Sequence, residues 1–90
     1  MITNPMGFEI TPHIKDLGHK ETTCAICNRL TRYVFLATSR RKGSSIEIKA
    51  GIDCSSKMYN PLAIKASISN EEWIKNNKAV LIKQAEQNRL

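Results

Sequence analysis

Alternation of apolar and polar positions predicts a β-hairpin in the middle of the chain. Residues 33–38 are dense in β-branched and aromatic side chains and form too short a run for a typical helix, so they favour a strand. Residues 45–52 alternate with a period of two, as expected for a strand with one buried face. The apolar face carries Ile46, Ile48, Ala50 and Ile52. The polar segment between the two runs contains Gly43, which suits the connecting turn.

A helical pattern near the C-terminus predicts a helix over residues 70–89. Ser69 precedes Glu72 by three residues, which is the spacing of a capping box. The apolar residues that follow share one helical face: Trp73, Ile74, Val80, Leu81 and Ala85. We interpret this face as core packing, and docking on a partner or helix-mediated self-association is the alternative.

The N-terminal third has weaker patterns. Residues 1–6 lack periodicity and are interpreted as a flexible tail, which leaves 7–90 as a single small domain. Phe8 and Ile10 alternate with Gly and Glu, which suits a short strand. After them, a Thr-Pro pair resembles a helix cap followed by proline at the first helical position, which predicts a short helix over residues 12–17.

The segment before the C-terminal helix allows two interpretations. Residues 62–68 alternate apolar and other residues, which predicts a possible strand. Asn60 as a cap and Pro61 at the first helical position would instead open a short helix. With the hairpin and the C-terminal helix, these elements predict an α+β fold, in which a small antiparallel sheet is covered on one face by a long amphipathic helix.

Length and composition narrow the class of protein. Ninety residues suffice for one domain that buries about 60–65% of its unfolded surface, so additional stabilisation by a metal would be useful. An apolar fraction of 41% with 24% charged residues excludes wholesale disorder. No apolar run approaches the length of a membrane span, and the N-terminus lacks the pattern of a secretory signal. We therefore expect a cytoplasmic protein, in the host cytoplasm if it is encoded by a phage.

Cys24 and Cys27 form the motif with the most specific chemistry. Two thiolates separated by two residues can grip one tetrahedral metal ion from a tight turn, and Zn²⁺ is the usual occupant. Asn28 follows directly, at a position where such turns often need a left-handed residue. Cys54 lies just beyond the predicted hairpin and supplies a third sulfur. In a reducing cytoplasm, three cysteines are more plausible as thiols or metal ligands than as disulfide partners.

The order of these features resembles a known class of fingers. A Cys-x2-Cys pair, a hairpin and a further cysteine occur in zinc-ribbon fingers, and a helix after the third cysteine would instead give a treble clef. Residues 24–57 are similar to such fingers, which implies a Zn²⁺ site. In those families a fourth ligand follows the third with two residues between them, and this position is Lys57 here.

The fourth ligand must therefore come from elsewhere. His19 lies five residues before Cys24 and is the first candidate, which would complete a Cys₃His site. His13, Asp53, a water molecule or a ligand from another chain are the alternatives. A domain without metal, in which the cysteines are small buried hydrophobes, also fits the sequence, as does a redox or disulfide role.

The charge distribution points to an acidic partner. The net charge is +6, and residues 13–49 hold eight basic residues against three acidic ones. The candidate contacts for nucleic acid or a partner protein are Arg29, Arg32, Arg40, Arg41, Lys42 and Lys49. They predict a nucleic-acid-binding protein that contacts phosphates through the basic loop of the hairpin.

An inhibitor or regulator that binds a host protein at its nucleic-acid-facing surface has the same sequence features. RNA polymerase and a defence nuclease are examples of such targets. The abundance of Ile, Lys and Asn fits a phage or low-GC bacterial source. We expect no enzymatic activity, because no acid/base pair or glycine-rich phosphate loop has support from residue spacing.

Overall fold

A three-stranded antiparallel sheet with a long helix across one face forms the body of the protein. The computed structural model describes residues 4–89. The strands are β1 (Phe8–Asp16), β2 (Thr22–Thr23), β3 (Leu30–Thr31), β4 (Tyr33–Ser39) and β5 (Glu47–Gly51). The helices are α1 (Ile52–Ser55), α2 (Pro61–Lys65) and α3 (Asn70–Arg89). The sheet order is β1-β4-β5, and β2 and β3 form a separate two-stranded ribbon. The predicted α+β fold is confirmed.

The predicted hairpin is formed by β4 and β5. Phe35 pairs with Ala50 and Ala37 with Ile48, and the buried members of these pairs belong to the core beneath α3. We call residues 40–46, between the two strands, the hairpin tip. Ile46 lies in this tip and is 59% exposed, so the apolar face of β5 is shorter than the sequence pattern suggests.

The predicted helix over residues 12–17 is wrong, because these residues continue strand β1. Ile14 pairs with Phe35 and Asp16 with Tyr33, and burial alternates along this half of the strand. Pro12 lies where the register with β4 shifts, between Ile10 and Ile14. An edge strand accepts proline at such an irregularity, since the missing N–H interrupts few ladder hydrogen bonds. Pairing with β4 therefore overrides the local helix signal.

The predicted strand over residues 62–68 is also wrong, and the alternative helix is correct. The Asn60 side chain accepts a hydrogen bond from the Leu62 N–H at 3.0 Å, and Pro61 occupies the first turn of α2. Ala63 is the buried residue of this helix, whereas Leu62 and Ile64 are exposed. The apolar alternation thus did not reflect a buried strand face.

Helix α3 spans the predicted residues. The Ser69 hydroxyl oxygen accepts a hydrogen bond from the Glu72 N–H at 3.1 Å, which is one half of the predicted capping box. The buried face that packs on the sheet carries Ile74, Leu81 and Ala85, with Trp73 and Ile82 half-buried beside it. Val80 was predicted on this face, but it is 58% exposed, because six residues at 3.6 per turn place it about 120° around the helix from Ile74.

The N-terminus is only partly described. The predicted flexible tail covers residues 1–6, of which 1–3 lie outside the described residues. Pro5–Gly7 form one turn of 3-10 helix, and the Met6 carbonyl accepts a hydrogen bond from the Arg40 guanidinium. Tail residues next to β1 are therefore attached to the hairpin tip. Among residues 4–89, no helix is long and apolar enough to span a membrane.

Candidate metal centre

The Cys-x2-Cys motif forms the turn of the small β2–β3 ribbon. The Cys24 N–H donates to the Arg29 carbonyl at 2.8 Å, and the Asn28 N–H donates to the Cys24 carbonyl at 3.0 Å. Asn28 has a φ of 65°, the left-handed conformation expected after such a turn. These bonds hold Cys24 and Cys27 on one tight loop.

The third cysteine is positioned by the hairpin and the helix that follows it. Strand β5 ends at Gly51 and α1 starts at the next residue, so Cys54 lies in a short helix beside the Cys-x2-Cys turn. The Ser55 hydroxyl donates to the Gly51 carbonyl at 2.8 Å, which ties α1 to the end of the strand. The Ala25 N–H donates to the Lys49 carbonyl at 3.0 Å and ties the Cys-x2-Cys turn to the same strand.

The three sulfur atoms converge. The Sγ atoms of Cys24, Cys27 and Cys54, which we call the cysteine cluster, lie within 4.8 Å of one another. A tetrahedral Zn²⁺ with Zn–S bonds of about 2.3 Å holds its sulfur ligands about 3.8 Å apart. Small side-chain rotations of the cluster would reach this spacing. The donor set and its geometry therefore fit one metal ion, and the prediction that these three cysteines come together is confirmed.

The cluster favours a thiolate at Cys24. Burial raises the pKa of this thiol, but hydrogen bonds from the backbone of Cys27, Gly51 and Ile26 outweigh burial and lower the pKa to about 7. Burial raises the pKa of Cys54 to about 12, with further contributions from the neighbouring Cys27 and Cys24 sulfurs. Without a metal, the cluster therefore keeps a proton on Cys54. A bound cation would displace it.

The cysteine cluster opens into a cavity of about 500 Å³, which we call the cluster cavity. Its charged wall residues are Arg29, Asp53 and Lys78. Its apolar wall includes Leu30, Ile52 and Ile82. One side of the metal position is therefore open to a space that a small ligand could enter.

His19, the predicted fourth ligand, is not part of the cluster. Its Nε2 lies 2.9 Å from the Glu21 carboxylate, and its side chain is 73% exposed. The carboxylate two residues away gives His19 a nearer partner than the sulfurs. The other protein candidates are likewise outside the cluster: His13 is exposed on β1, and Asp53 lines the cluster cavity without joining the donor group. Lys57 is exposed and does not line the cavity.

Two of the predicted partner-binding residues make side-chain contacts within the protein. The Arg32 guanidinium forms two hydrogen bonds with the buried Asp16 carboxylate, at 2.8 and 3.0 Å. The Arg40 guanidinium lies 3.7 Å from the centroid of the Tyr59 ring and donates to the Met6 carbonyl. The Arg32 guanidinium is therefore held by Asp16 and stabilises the fold. Arg40 is exposed but fixed in place.

The other four basic candidates lie in two places. Arg41 and Lys42 are exposed at the hairpin tip, where the Ser44 N–H donates to the Arg41 carbonyl and Gly43 has a φ of 83°. Arg29 is exposed beside the cysteine cluster, and Lys49 is half-buried on β5. The structure does not unite the predicted residues into one patch.

Sequence reasoning missed two contributors to the site. Lys78 reaches the cluster cavity from α3, and the Gly51 N–H donates to the Cys24 sulfur at 3.3 Å. The position of Lys78 depends on how α3 crosses the sheet, which local patterns do not specify. Gly51 carried no signal of its own, because the bond is donated by its backbone N–H, which every residue except proline has.

Comparison with models of known protein families, with curated proteins and with solved structures finds no match to this chain.

Proposed function

We propose that this protein is a small zinc-stabilised binding domain that contacts nucleic acid through its hairpin tip. The observation that supports the zinc site is the convergence of the three cysteine Sγ atoms within 4.8 Å. Thiolates select Zn²⁺ over hard cations such as Mg²⁺ or Ca²⁺, and Zn²⁺ accepts a tetrahedral site without further demands on geometry. The proposed role is binding rather than catalysis.

The metal would stabilise the fold by joining segments that are distant in sequence. It would link the Cys-x2-Cys turn to α1, across the whole β4–β5 hairpin. The order of turn, hairpin and helix is that of a treble clef, which favours this resemblance over a zinc ribbon. A 90-residue chain has a small core, so the free energy of metal binding would be a large part of its stability.

The proposed nucleic-acid contact is made by Arg41 and Lys42. Both are exposed at the end of the hairpin, and among residues 4–89 their side chains make no hydrogen bond or ion pair that would hold them away from a phosphate. Arg40 fixes the base of the tip through Tyr59 and Met6. The net charge of +6 would add long-range attraction to a polyanion.

The test is a fluorescence polarisation titration with double-stranded DNA and with RNA over a range of salt concentrations. Replacing Arg41 and Lys42 together by Gln should weaken binding. On B-form DNA it should also lower the slope of log affinity against log salt by about 1.8, because each phosphate contact contributes about 0.9. The matched control replaces Lys65 and Lys83 by Gln, which removes the same charge from exposed helix positions.

The proposal fails if the wild-type protein binds neither DNA nor RNA at low salt, or if the control pair lowers the slope as much as the tip pair. Affinity capture from a bacterial lysate with and without nuclease gives an independent check. A host protein that is retained after nuclease treatment would contradict nucleic-acid binding and support a regulator of a host protein instead.

A further inference from the structure

We propose that the metal's fourth coordination position is open to the cluster cavity and takes a small thiol acid, a ligand with a thiolate donor and a carboxylate. This inference rests on the zinc site proposed above. Within residues 4–89, the group of His, Cys, Asp and Glu donors at the site contains the three cysteines and no fourth member. A tetrahedral ion bound by three protein ligands keeps one position for an exogenous ligand.

The cavity provides the space that such a ligand needs. All three cysteines lie on its wall, so a ligand in the cavity has direct access to the metal position. Its volume of about 500 Å³ falls within the range of small-molecule sites, about 300–1,000 Å³. Leu30, Ile52 and Ile82 would contact the carbon chain of the ligand.

The charges around the cavity are mixed, and its two basic side chains are the groups that can hold a ligand carboxylate. Three thiolates and a divalent ion carry a formal charge of −1, and a fourth thiolate makes it −2. Arg29 and Lys78 on the cavity wall carry two positive charges and can pair with a ligand carboxylate. Asp53 lies on the same wall, and its negative charge would repel a ligand carboxylate. A thiolate is the preferred donor because the metal already has a soft, sulfur-rich environment.

The test uses the full chain loaded with Co²⁺, whose absorption reports on the ligands of the ion. Three probes distinguish the contribution of the thiolate donor to binding from that of the carboxylate charge. Mercaptoacetate has both groups, mercaptoethanol has the thiolate alone, and acetate has the carboxylate alone. We expect mercaptoacetate to change the thiolate-to-cobalt absorption at the lowest concentration, mercaptoethanol at a higher one, and acetate not at all. Native mass spectrometry should find a complex of one chain, one cobalt ion and one mercaptoacetate.

Variants of the cavity wall test the role of charge. Arg29→Gln and Lys78→Gln should each weaken mercaptoacetate binding about three-fold, the effect of losing one partly exposed ion pair, and should leave mercaptoethanol binding unchanged. The matched control is Lys75→Gln, an exposed position on the same helix that does not line this cavity. Asp53→Asn should strengthen mercaptoacetate binding by a similar factor.

The outcomes separate this inference from the function on which it rests. Failure to bind Co²⁺ would refute the zinc site itself. Normal Co²⁺ binding with a spectrum that no thiol changes would overturn the inference alone. A large loss of Co²⁺ affinity in Asp53→Asn would also overturn the inference, because it would make Asp53 the fourth ligand. A metal-bridged dimer would overturn it too, because a ligand from a second copy would then occupy the fourth position.

Discussion

The Gly51 N–H donates a hydrogen bond to the Cys24 sulfur across 3.3 Å, and this bond joins the end of β5 to the Cys-x2-Cys turn. A Cβ at position 51 would lie 3.9 Å from the same sulfur, which is an ordinary contact. The hydrogen bond therefore arises from the backbone path and not from a special need for glycine. It is one of the interactions that lower the pKa of Cys24 to about 7.

This shift predicts how the stability of the metal-free protein depends on pH. In the folded chain Cys24 loses its proton near pH 7, whereas in the unfolded chain it keeps the proton until about pH 9.0. The free energy of unfolding should therefore rise with pH between these values. Cys54 acts in the opposite sense, because its proton stays until about pH 12 in the folded chain and only to about 9.0 in the unfolded chain, so its contribution falls with pH above 9.

Denaturant unfolding of the chelator-treated protein at a series of pH values measures both effects. Cys24→Ser should remove the rise between pH 7 and 9, and Cys54→Ser should remove part of the fall at higher pH. If the wild type and Cys24→Ser have parallel pH profiles, the proposed stabilisation of the Cys24 thiolate is incorrect.

Local patterns predicted three elements from two kinds of signal. Strand β5 and helix α3 have apolar residues with periods of 2 and 3.6, which predicted them. Strand β4 was predicted from its β-branched and aromatic residues, because this central strand buries the neighbouring Val34 and Phe35 and shows no alternation. The second half of β1 was mistaken for a helix because its Thr-Pro pair is also a common helix start. Its conformation depends on pairing with β4, which no local pattern contains.

In the candidate site too, local sequence patterns predicted some positions, and tertiary contacts determined the others. The Cys24 and Cys27 spacing predicted a shared turn, and the hairpin length placed Cys54 beside it. The fourth ligand could not be predicted, because the position of His19 depends on its contact with Glu21 and on the path of the chain between β1 and β2. The short sequence distance between His19 and Cys24 therefore did not place His19 at the metal position.

The buried ion pair between Asp16 and Arg32 should contribute to stability. The Asp16 side chain is fully buried, and its carboxylate accepts two hydrogen bonds from Arg32 and one from the Gly18 N–H. The hydrogen bond to Asp16 also raises the pKa of Arg32 above its ordinary value. Asp16→Asn should lower the free energy of unfolding by about 1.5–3 kcal/mol, the usual contribution of hydrogen bonds to a charged group.

Urea unfolding measures this change, with Glu9→Gln as the control on an exposed position of the same strand. The control should alter stability by less than about 0.5 kcal/mol. Equal effects of the two substitutions would show that the Asp16 pair contributes no more than a surface charge.

Asn70 is expected to stabilise the junction of the three helices. Its amide donates to the Ser55 and Met58 carbonyls at 2.9 and 3.0 Å, and its oxygen accepts from the buried Asn60 amide at 2.9 Å. Asn70→Ala should lower the free energy of unfolding by about 1–3 kcal/mol, because it leaves buried polar groups without partners. The control is Asn76→Ala, an exposed position on the same helix.

The two variants should be compared by urea unfolding and by Co²⁺ titration. Ser55 follows Cys54 directly, so Asn70→Ala should also weaken metal binding, whereas Asn76→Ala should not. An Asn70→Ala protein as stable as the control would mean that the helices are held by apolar packing alone.

The zinc content of untagged protein is the most direct test of the metal site. Elemental analysis after gel filtration should find about one zinc ion per chain. Each of the Cys24→Ser, Cys27→Ser and Cys54→Ser variants should retain much less. Addition of a chelator should lower the unfolding temperature, since a metal at 1,000 times its dissociation constant stabilises a fold by about 4 kcal/mol. A folded wild-type protein that contains no metal and has three freely titratable thiols would contradict the account.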